Sequence, residues 1–168
     1  MDFKVGPTKP ADAAAVLALY QATAGALESG LARTPDEMDI AWAQGFLARA
    51  AATGASVGVW AGDVLIGEIH ASRMGVRQFD HNLVDLTVAV HPDWQGRGVG
   101  RRLFEALFAA AYGLSPKVER IELAVREGNV SAVRLYERLG FILEGRHPGR
   151  VRLPDGRMEM DLTMAKFL

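Results

Sequence analysis

The residues VHPDWQGRGVGRRLFEAL, Val90 to Leu107, combine glycines, arginines and the start of a helical pattern. Gly96, Gly98 and Gly100 follow an apolar strand pattern directly, and the helical pattern begins among them. The N-terminus of a helix offers free backbone N–H groups and a positive dipole end, and glycines let a ligand approach the backbone closely. We therefore interpret this segment as a phosphate-binding loop. The alternative is a glycine-rich turn between a strand and a helix.

The spacing of these glycines discriminates between phosphate-binding motifs. The dinucleotide pattern G-x-G-x-x-G, started at Gly96, would need its third glycine where Arg101 stands, and no Gly-Lys-Ser/Thr of a P-loop follows. The pattern that fits is Gln-x-x-Gly-x-Gly, at Gln95, Gly98 and Gly100. Three arginines add positive charge around it: Arg97, Arg101 and Arg102.

Polar side chains also recur on two predicted strands. In VLIGEIHAS the alternation places Glu68 and His70 on one face, and in LVDLTVAVH it places Asp85 and Thr87 on a face with Leu83 and Ala89. Such groups are not expected to face a sealed core, so they either lie near a wet sheet end or line a cleft. A cleft of this kind would suit a cationic ligand.

Helical and strand patterns alternate along the whole chain, which predicts an α/β architecture with a central sheet and a single domain over 1–168. Asn129 is a predicted N-cap and Gly140 a C-terminal stop of the last helix. The predicted strands are 3–7, two within 55–74 joined at Gly62-Asp63, 83–91, 118–125, 141–145 and 157–165, and the predicted helices are 11–25, 35–51, 98–112 and 129–140.

Composition excludes several classes of protein. The 168 residues carry a net charge of −1, which argues against general nucleic-acid binding. There is no cysteine, and the four histidines are scattered, so we expect no disulfide and no metal site. The N-terminus lacks a basic region followed by an apolar run, and no apolar run is long enough for a membrane span. We therefore expect a cytoplasmic protein without a membrane partner.

With these motifs the sequence resembles the GNAT (Gcn5-related) N-acetyltransferase family. In that family Gln/Arg-x-x-Gly-x-Gly/Ala after a V-x-P strand binds the pyrophosphate of acetyl-coenzyme A, and here the segment reads LTVAVHPDWQGRGVGRRL. A second family signature appears as NVSAVRLYERLGF, at Asn129, Ala132, Leu135, Tyr136, Gly140 and Phe141. The tail from Glu144 to Ala165 resembles a bacterial branch that acetylates free amines, including amino acids, polyamines and ribosomal protein N-termini.

The resemblance implies a mixed, mostly antiparallel central sheet with helices on both faces. Two central strands, at Leu86 to Val90 and Ile121 to Val125, would splay apart to admit coenzyme A. The pantetheine arm would pair with the backbone of Val88, Ala89 and Val90, and Asn129 would contact it as well. The pyrophosphate would bind the glycine segment, whose predicted cofactor residues are Gln95, Gly96, Arg97, Gly98, Val99, Gly100 and Arg101.

The reaction implied is direct transfer of an acetyl group from acetyl-CoA to an amine, without a metal. Tyr136 would lie near the coenzyme A sulfur and protonate the departing thiolate. The alternative for Tyr136 is packing, since it belongs to an apolar stripe at helical spacing. Glu68 is the first choice for the base, acting through a water, and Asp85 the second. The alternative for both carboxylates is solvent exposure or helix capping.

The expected acceptor is a primary amine of a small molecule such as an amino acid or a polyamine. One alternative is a protein N-terminal or lysine acetyltransferase, which needs an open groove at the loop 25–35. An alternative of another class is a domain that senses acetyl-CoA without catalysis. The basic tail would be a solvated hairpin, a subunit contact of a homodimer or a site for an acceptor carboxylate, through Arg146, Arg150, Arg152 and Arg157.

Overall fold

The computed structural model describes residues 3–26 and 29–168; the two residues of the predicted 25–35 loop at 27 and 28 lie outside the described part. Helices and strands alternate as the sequence predicts. In chain order they are β1 Phe3–Pro7, α1 Ala13–Ala24, α2 Ile40–Thr53, β2 Ala55–Ala61, β3 Val64–Ser72, β4 Asn82–Val90, α3 Val99–Tyr112, β5 Arg120–Arg126, α4 Val130–Arg138, β6 Ile142–Arg152 and β7 Met158–Phe167.

The strands form one sheet in the order β1-β2-β3-β4-β5-β7-β6. Every neighbouring pair is antiparallel except β4 and β5, which are parallel. These two strands pair only at Asn82 with Arg120 and at Leu83 with Ile121, and their remaining residues do not pair with each other. The predicted mixed, mostly antiparallel sheet with two splayed central strands is therefore confirmed.

Helices cover both faces of the sheet. On one face α1 and α2 bury an apolar cluster that includes Val16, Leu19 and Leu47. On the other face α3 and α4 pack over a larger cluster, in which Leu103 and Leu107 are fully buried. Removal of this apolar surface from water is the main stabilising term for such a layered fold.

Two elements differ from their predicted bounds by more than two residues. The segment Pro35–Glu37 forms a separate 3-10 turn, and α2 begins only at Ile40, because the Asp39 carboxylate caps it by accepting the Trp42 N–H at 2.7 Å. Strand β6 extends to Arg152, well past the predicted end at 145. It lies at the edge of the sheet and is largely exposed, so it lacks the apolar alternation from which strands are predicted.

A bulge in β4 changes which side chains share a face. His70 pairs with Thr87 but Ser72 pairs with Val84, so β4 carries one residue more than β3 over this stretch. Asp85 lies in the bulge with a φ of 53°, in the left-handed region. The predicted common face is therefore wrong for Leu83, which packs under α3, whereas Ala89 packs under α1 and α2.

The left-handed backbone at Asp85 predicts that a glycine variant is more stable there than an alanine variant. In an ordinary strand the alanine variant is the more stable of the two. Alanine in this region costs about 1–2 kcal/mol, and glycine does not. Asp85→Gly should therefore unfold at a higher urea concentration than Asp85→Ala. At Thr87, whose backbone is ordinary strand, the alanine variant should be the more stable by about 0.5–1 kcal/mol. Equal stability of the two Asp85 variants would contradict the bulge conformation.

Candidate active site

A cavity of about 540 Å³ lies beside the C-terminal half of β4 and the N-terminus of α3. Residues of α4 and of the segment after α1 complete its walls. It is lined by Thr23, Ala26, Ser29, Gly30, Leu31, Val88, Val90, Trp94, Gln95, Gly96, Gly98, Val99, Gly100, Arg101, Asn129, Ser131, Ala132, Leu135, Tyr136 and Arg138. We call it the large cavity.

The glycine segment forms one wall of the large cavity. Gly96 and Gly98 have φ values of 71° and 80°, and Gly98 is the residue that caps α3. A side chain at either position would meet no atom within 4 Å, so these glycines are required by backbone conformation. The first N–H groups of α3 lack intrahelical partners, as in any helix, and residues Val99 to Arg101 line the cavity. This is the geometry of an anion site at a helix N-terminus.

Most of the predicted cofactor residues line the large cavity: Val88, Val90, Gln95, Gly96, Gly98, Val99, Gly100, Arg101, Asn129 and Tyr136. The other two do not. The Ala89 side chain is buried against α1 and α2, and the Arg97 guanidinium lies 5.1 Å from the centre of the Trp94 ring. Backbone pairing of Ala89 and a phosphate contact of Arg97 stay predictions.

Tyr136 both packs in the core and lines the large cavity. Its ring packs against Phe104 and Phe141, with centroid distances of 5.5 and 5.9 Å, while the residue also lines the large cavity. Burial raises the pKa of Tyr136 to about 12. The phenol is therefore protonated at neutral pH and available as a donor, so packing and an acid role are compatible.

Asn129 caps α4, as predicted. Its Oδ1 accepts the Ala132 N–H at 3.4 Å and the Ser131 hydroxyl at 3.3 Å. Because Asn129 also lines the large cavity, one residue both starts the helix and contributes to the wall.

A second cavity of about 190 Å³ lies next to the first, and Leu31 lines both. We call it the small cavity. Its lining is mostly aromatic and polar: Tyr20, Leu31, Ala32, Arg33, Met38, Trp42, Phe46, Arg49, His70, Asp85 and Thr87. Arg33 and Arg49 could not be predicted from the sequence, because a loop and an exposed helix face carry no pattern that points to a cavity. The feature of the sequence that does indicate the small cavity is the i, i+2 spacing of polar residues on β3 and β4.

The two carboxylates predicted as bases occupy different environments. Asp85 is exposed and lines the small cavity, where the bulge directs it. Glu68 is fully buried and lines neither cavity. The polar strand face was expected to be wet or to line a cleft, and this expectation is wrong for Glu68. A buried carboxyl group is tolerated there because it has hydrogen-bond partners.

Two hydroxyl donors and one imidazole nitrogen surround the Glu68 carboxylate. The Tyr20 hydroxyl donates to Oε2 at 2.6 Å, the Ser56 hydroxyl donates to Oε1 at 2.7 Å, and His70 Nδ1 lies 3.1 Å from Oε2. Burial and the Glu68 charge together hold the pKa of Tyr20 well above its usual value, so Tyr20 remains a donor. Whether Glu68 acts as a base stays a prediction.

His70 connects this buried cluster to the small cavity. Its ring stacks on Phe46 with centroids 3.9 Å apart and an angle of 16° between the planes. Its Nδ1 faces Glu68, and the Tyr20 hydroxyl lies 3.4 Å away. The imidazole is thus held on one side by a carboxylate and on one face by an aromatic ring, while it lines the cavity.

Most arginines of the basic tail have carboxylate partners. Three of its arginines form ion pairs with carboxylates: Arg146 with Glu127 at 2.6 Å, Arg150 with Asp161 at 3.4 Å and Arg157 with Asp155 at 2.6 Å. None of the four tail arginines lines either cavity. The acceptor-carboxylate alternative for the tail therefore has no support in the site geometry.

Two further properties concern the described residues as a whole. Within 3–26 and 29–168, no group of three or more His, Asp or Glu side chains is arranged to hold a metal ion. No helix in the same part of the chain has the length and apolar character needed to cross a bilayer.

The parted strands and the two adjoining cavities define a protein that can hold two ligands side by side. Residues 16–141 match the model of the acetyltransferase (GNAT) family. The chain therefore belongs to the GNAT acetyltransferases, as the two sequence signatures indicate.

Individual relatives agree with this assignment. The chain is 33% identical to an L-methionine sulfoximine/L-methionine sulfone acetyltransferase of Pseudomonas aeruginosa over 163 residues, 94% of this chain and 89% of that protein. It is 37% identical to the N-alpha-acetyltransferase RimI of Mycobacterium tuberculosis over 86 residues, and these cover 51% of this chain and only 50% of that relative.

Solved structures share the fold. A phosphinothricin acetyltransferase from Sinorhizobium meliloti, solved in complex with acetyl-CoA, superposes with a TM-score of 0.85 at 19% identity. The superposition covers all of this chain and 89% of that one. At this identity the likeness supports the fold, and the chemistry of the site must be argued from the residues of this chain.

The glycine segment gives the first prediction for the site. A Cβ at Gly100 would lie 3.4 Å from Leu135 Cδ2, within the large cavity and without a backbone clash. Gly100→Val should therefore fold, but its side chain should occupy space that the ligand needs. Acetyl-CoA at a hundredfold excess over Kd should stabilise the parent protein by about 2.7 kcal/mol and leave Gly100→Val unchanged, measured by thermal unfolding.

The matched control for this experiment is Gly45→Val. Gly45 also lies in a helix, and a Cβ there would meet only Arg49 Nη1, at 3.9 Å. This variant should keep the full acetyl-CoA shift. An undiminished shift in Gly100→Val would show that the ligand does not bind along this wall.

Tyr136→Phe separates the acid role from packing. The ring and its contacts with Phe104 and Phe141 remain, and only the hydroxyl is lost. We expect kcat to fall by about 10²–10⁴-fold in a thiol-release assay, with a nearly unchanged acetyl-CoA thermal shift. Tyr112→Phe, on an exposed tyrosine, is the control. Full kcat in Tyr136→Phe under chemistry-limited conditions would leave Tyr136 with a packing role alone.

Proposed function

We propose that this protein transfers the acetyl group of acetyl-CoA to the α-amino group of a small amino acid. The observation that carries the proposal is the distribution of charge around the small cavity. Two guanidinium groups, Arg33 and Arg49, and one carboxylate, Asp85, line it, and it adjoins the large cavity. A free amino acid carries one group of each sign, so both of its charges would have a partner.

The large cavity suits acetyl-CoA in its donor set and its shape. Its N–H-rich wall at the start of α3 and the guanidinium of Arg101 match a diphosphate. The unpaired stretch of β4 offers backbone groups to the amide-bearing arm of the ligand. Acetyl-CoA supplies a thioester whose carbonyl carbon accepts the amine, and Tyr136, which lines the same cavity, would donate a proton to the sulfur.

The arginines of the small cavity favour a ligand with a carboxylate. Within the described residues, neither Arg33 nor Arg49 has a carboxylate oxygen within 4.0 Å. Arg33 instead lies over the Trp42 ring, with its guanidinium carbon 5.9 Å from the centroid. A planar guanidinium binds a carboxylate through two parallel hydrogen bonds. A polyamine has only positive charges, so it would place a cation near these arginines.

The charge state of the acceptor amine also matters for the site. An α-amino group at the start of a peptide has a pKa of about 7.7–8, and the α-carboxylate of a free amino acid raises the pKa of its amine above that range. At neutral pH the acceptor is therefore mostly an ammonium group, which must lose a proton before it attacks the thioester. Of the two predicted carboxylates, Asp85 is the one that can face the ammonium group directly, because Glu68 is enclosed.

A protein N-terminal acetyltransferase is the second candidate, since the M. tuberculosis relative is an N-alpha-acetyltransferase. The first residue of a peptide has an α-amine but no free α-carboxylate. The two candidates therefore differ in one testable group. The non-catalytic alternative is less well supported, because a sensor has no need of a donor such as Tyr136 or of a second polar cavity.

The test is a thiol-release assay with amino acids, their amides, polyamines and short peptides as acceptors. Free amino acids should be preferred over their amides. In a variant with both Arg33→Met and Arg49→Met, kcat/KM for the free acid should fall about ten- to hundredfold or more, since a hydrogen bond to a charged group contributes about 1.5–3 kcal/mol. The same variant should leave kcat/KM for the amide nearly unchanged.

Arg152→Met is the control for this prediction, because Arg152 is exposed on β6 and lines neither cavity. It should behave as the parent protein with every acceptor. Two results together would refute the carboxylate site. The parent would acetylate peptides or amides with the same kcat/KM as free amino acids, and the double variant would show the same ratio of kcat/KM for acid and amide as the parent. The N-terminal acetyltransferase would then be favoured.

A further inference from the structure

We propose that His70 removes the proton from the acceptor amine, and that Glu68 is a positioning residue that acts through His70. The inference rests on the proposed function, because it assigns a step in the acetylation of an amine in the small cavity. It differs from a mechanism in which a carboxylate takes the proton, either directly or through a water.

The contacts of the ring determine which nitrogen is free. His70 Nδ1 lies 3.1 Å from Glu68 Oε2, so a hydrogen on Nδ1 is stabilised by the carboxylate. Nε2 has no hydrogen-bond partner among the described residues. Asn82 Oδ1 is their only fully buried side-chain polar atom without a partner, so Nε2 is open to the surroundings. Because His70 lines the small cavity, Nε2 and its lone pair are the part of the ring that a ligand there can reach.

The ring is held in this orientation from several sides. It stacks on Phe46 at 3.9 Å, and Tyr20 lies against it with the phenol oxygen 3.4 Å from Nδ1. The side chain of His70 is only 10% exposed. A base that is fixed in one rotamer and one tautomer avoids the cost of ordering in each cycle.

Glu68 is fixed more firmly still. Ser56 donates to its Oε1 at 2.7 Å, and the Ser56 hydroxyl is itself hydrogen-bonded to Thr8. With no surface in either cavity, Glu68 cannot touch the amine. It can still stabilise the imidazolium that forms when His70 accepts a proton, as a buried carboxylate does behind a histidine base.

The charged groups around His70 act in both directions. Arg49 on α2 and Arg33 in the loop before it line the same cavity and oppose a positive charge on the ring. Glu68 on the same strand and Asp85 on β4 favour that charge, and Tyr20 on α1 is neutral. Asp85 lies on the exposed side, where it attracts the ammonium group, and His70 lies deeper, where it takes the proton.

The proton balance is complete without another reactant. An ammonium acceptor gives one proton to Nε2, and the neutral amine attacks the thioester carbonyl to form the C–N bond. The nitrogen loses its second proton to water while the C–S bond breaks, and Tyr136 protonates the thiolate. Tyr136 regains a proton from solvent and His70 releases its own. Each turnover of an ammonium acceptor therefore yields amide, coenzyme A thiol and one proton.

The first test is the pH profile of His70→Gln, with His81→Gln on an exposed loop as the control. An imidazole changes charge between about pH 5 and 8, and kcat/KM of the parent should rise with pH in this range. His70→Gln should lower kcat at neutral pH by about 10²–10⁴-fold and remove that rise. Its acetyl-CoA thermal shift should equal that of the parent. A parent-like kcat and pH profile in His70→Gln would overturn the proposal.

The second test addresses Glu68 without requiring an acceptor. In ¹⁵N NMR spectra of the parent protein, neutral His70 should show the tautomer with hydrogen on Nδ1, and Glu68→Gln should reduce the population of that tautomer. In the parent, hydrogen on Nε2 would overturn the proposal even if the Glu68 variant failed to fold. Asp85→Asn should raise KM for the acceptor and leave the tautomer unchanged.

A double-variant cycle then separates positioning from independent action. If Glu68 acts through His70, Glu68→Gln should lower kcat in the parent but have little further effect in His70→Gln. Multiplicative losses would contradict this link. Failure of the proposed function would give a different result, because the parent itself would release no thiol with any acceptor. The NMR experiment needs no acceptor, so it would still test the tautomer of His70.

Discussion

β4 and β5 run parallel for two residue pairs and then separate, and this separation determines where everything else in the site can lie. A sheet normally pairs its backbone groups, and an unpaired N–H or C=O costs free energy unless a ligand, water or side chain satisfies it. Both strands remain fixed in the sheet because β4 stays paired with β3 on its other side and β5 stays paired with β7. Helices on both faces then keep the two halves together while the gap remains open.

The same strand organises both cavities. Val88 and Val90 line the large cavity, and Asp85 and Thr87 line the small one, so β4 passes along the boundary between the two cavities. The bulge determines where Asp85 lies. In a regular strand Asp85 would share a face with Leu83, which packs under α3. One extra residue moves a carboxylate from a core direction to a cavity wall, at a cost in backbone strain that aspartate tolerates better than most residues.

Sequence patterns predicted the order of helices and strands and the glycine segment, and the family resemblance implied the splayed pair and half of the residues that line the large cavity. They could do so because a phosphate-binding loop, a capped helix and an apolar stripe are local features with a fixed spacing. The small cavity was predicted only as a polar strand face. Arg33, Arg49 and Tyr20 come from other elements, and no spacing in the chain links them to His70.

Burial of Glu68 was the least predictable feature of the site. Alternation on β3 places Glu68 beside His70, but only tertiary packing shows that Tyr20 and Ser56 supply its hydrogen bonds. A charged residue on a strand between helical layers suggests an open cleft, because an isolated buried charge is costly. With three hydrogen-bond partners the same residue is stable in a closed interior, and two of these partners, Tyr20 and His70, line the small cavity.

The two ends of the proposed reaction therefore face opposite requirements. Tyr136 must keep its proton until a thiolate forms, and burial among Phe104 and Phe141 raises its pKa to about 12 for that purpose. His70 must accept a proton readily, and a carboxylate beside Nδ1 stabilises the charge that results. Aromatic rings surround the proposed donor, and a buried carboxylate lies behind the proposed acceptor of the proton. Because donation and acceptance would rest on two different side chains, the acetyl group can be transferred directly between two ligands that are held side by side.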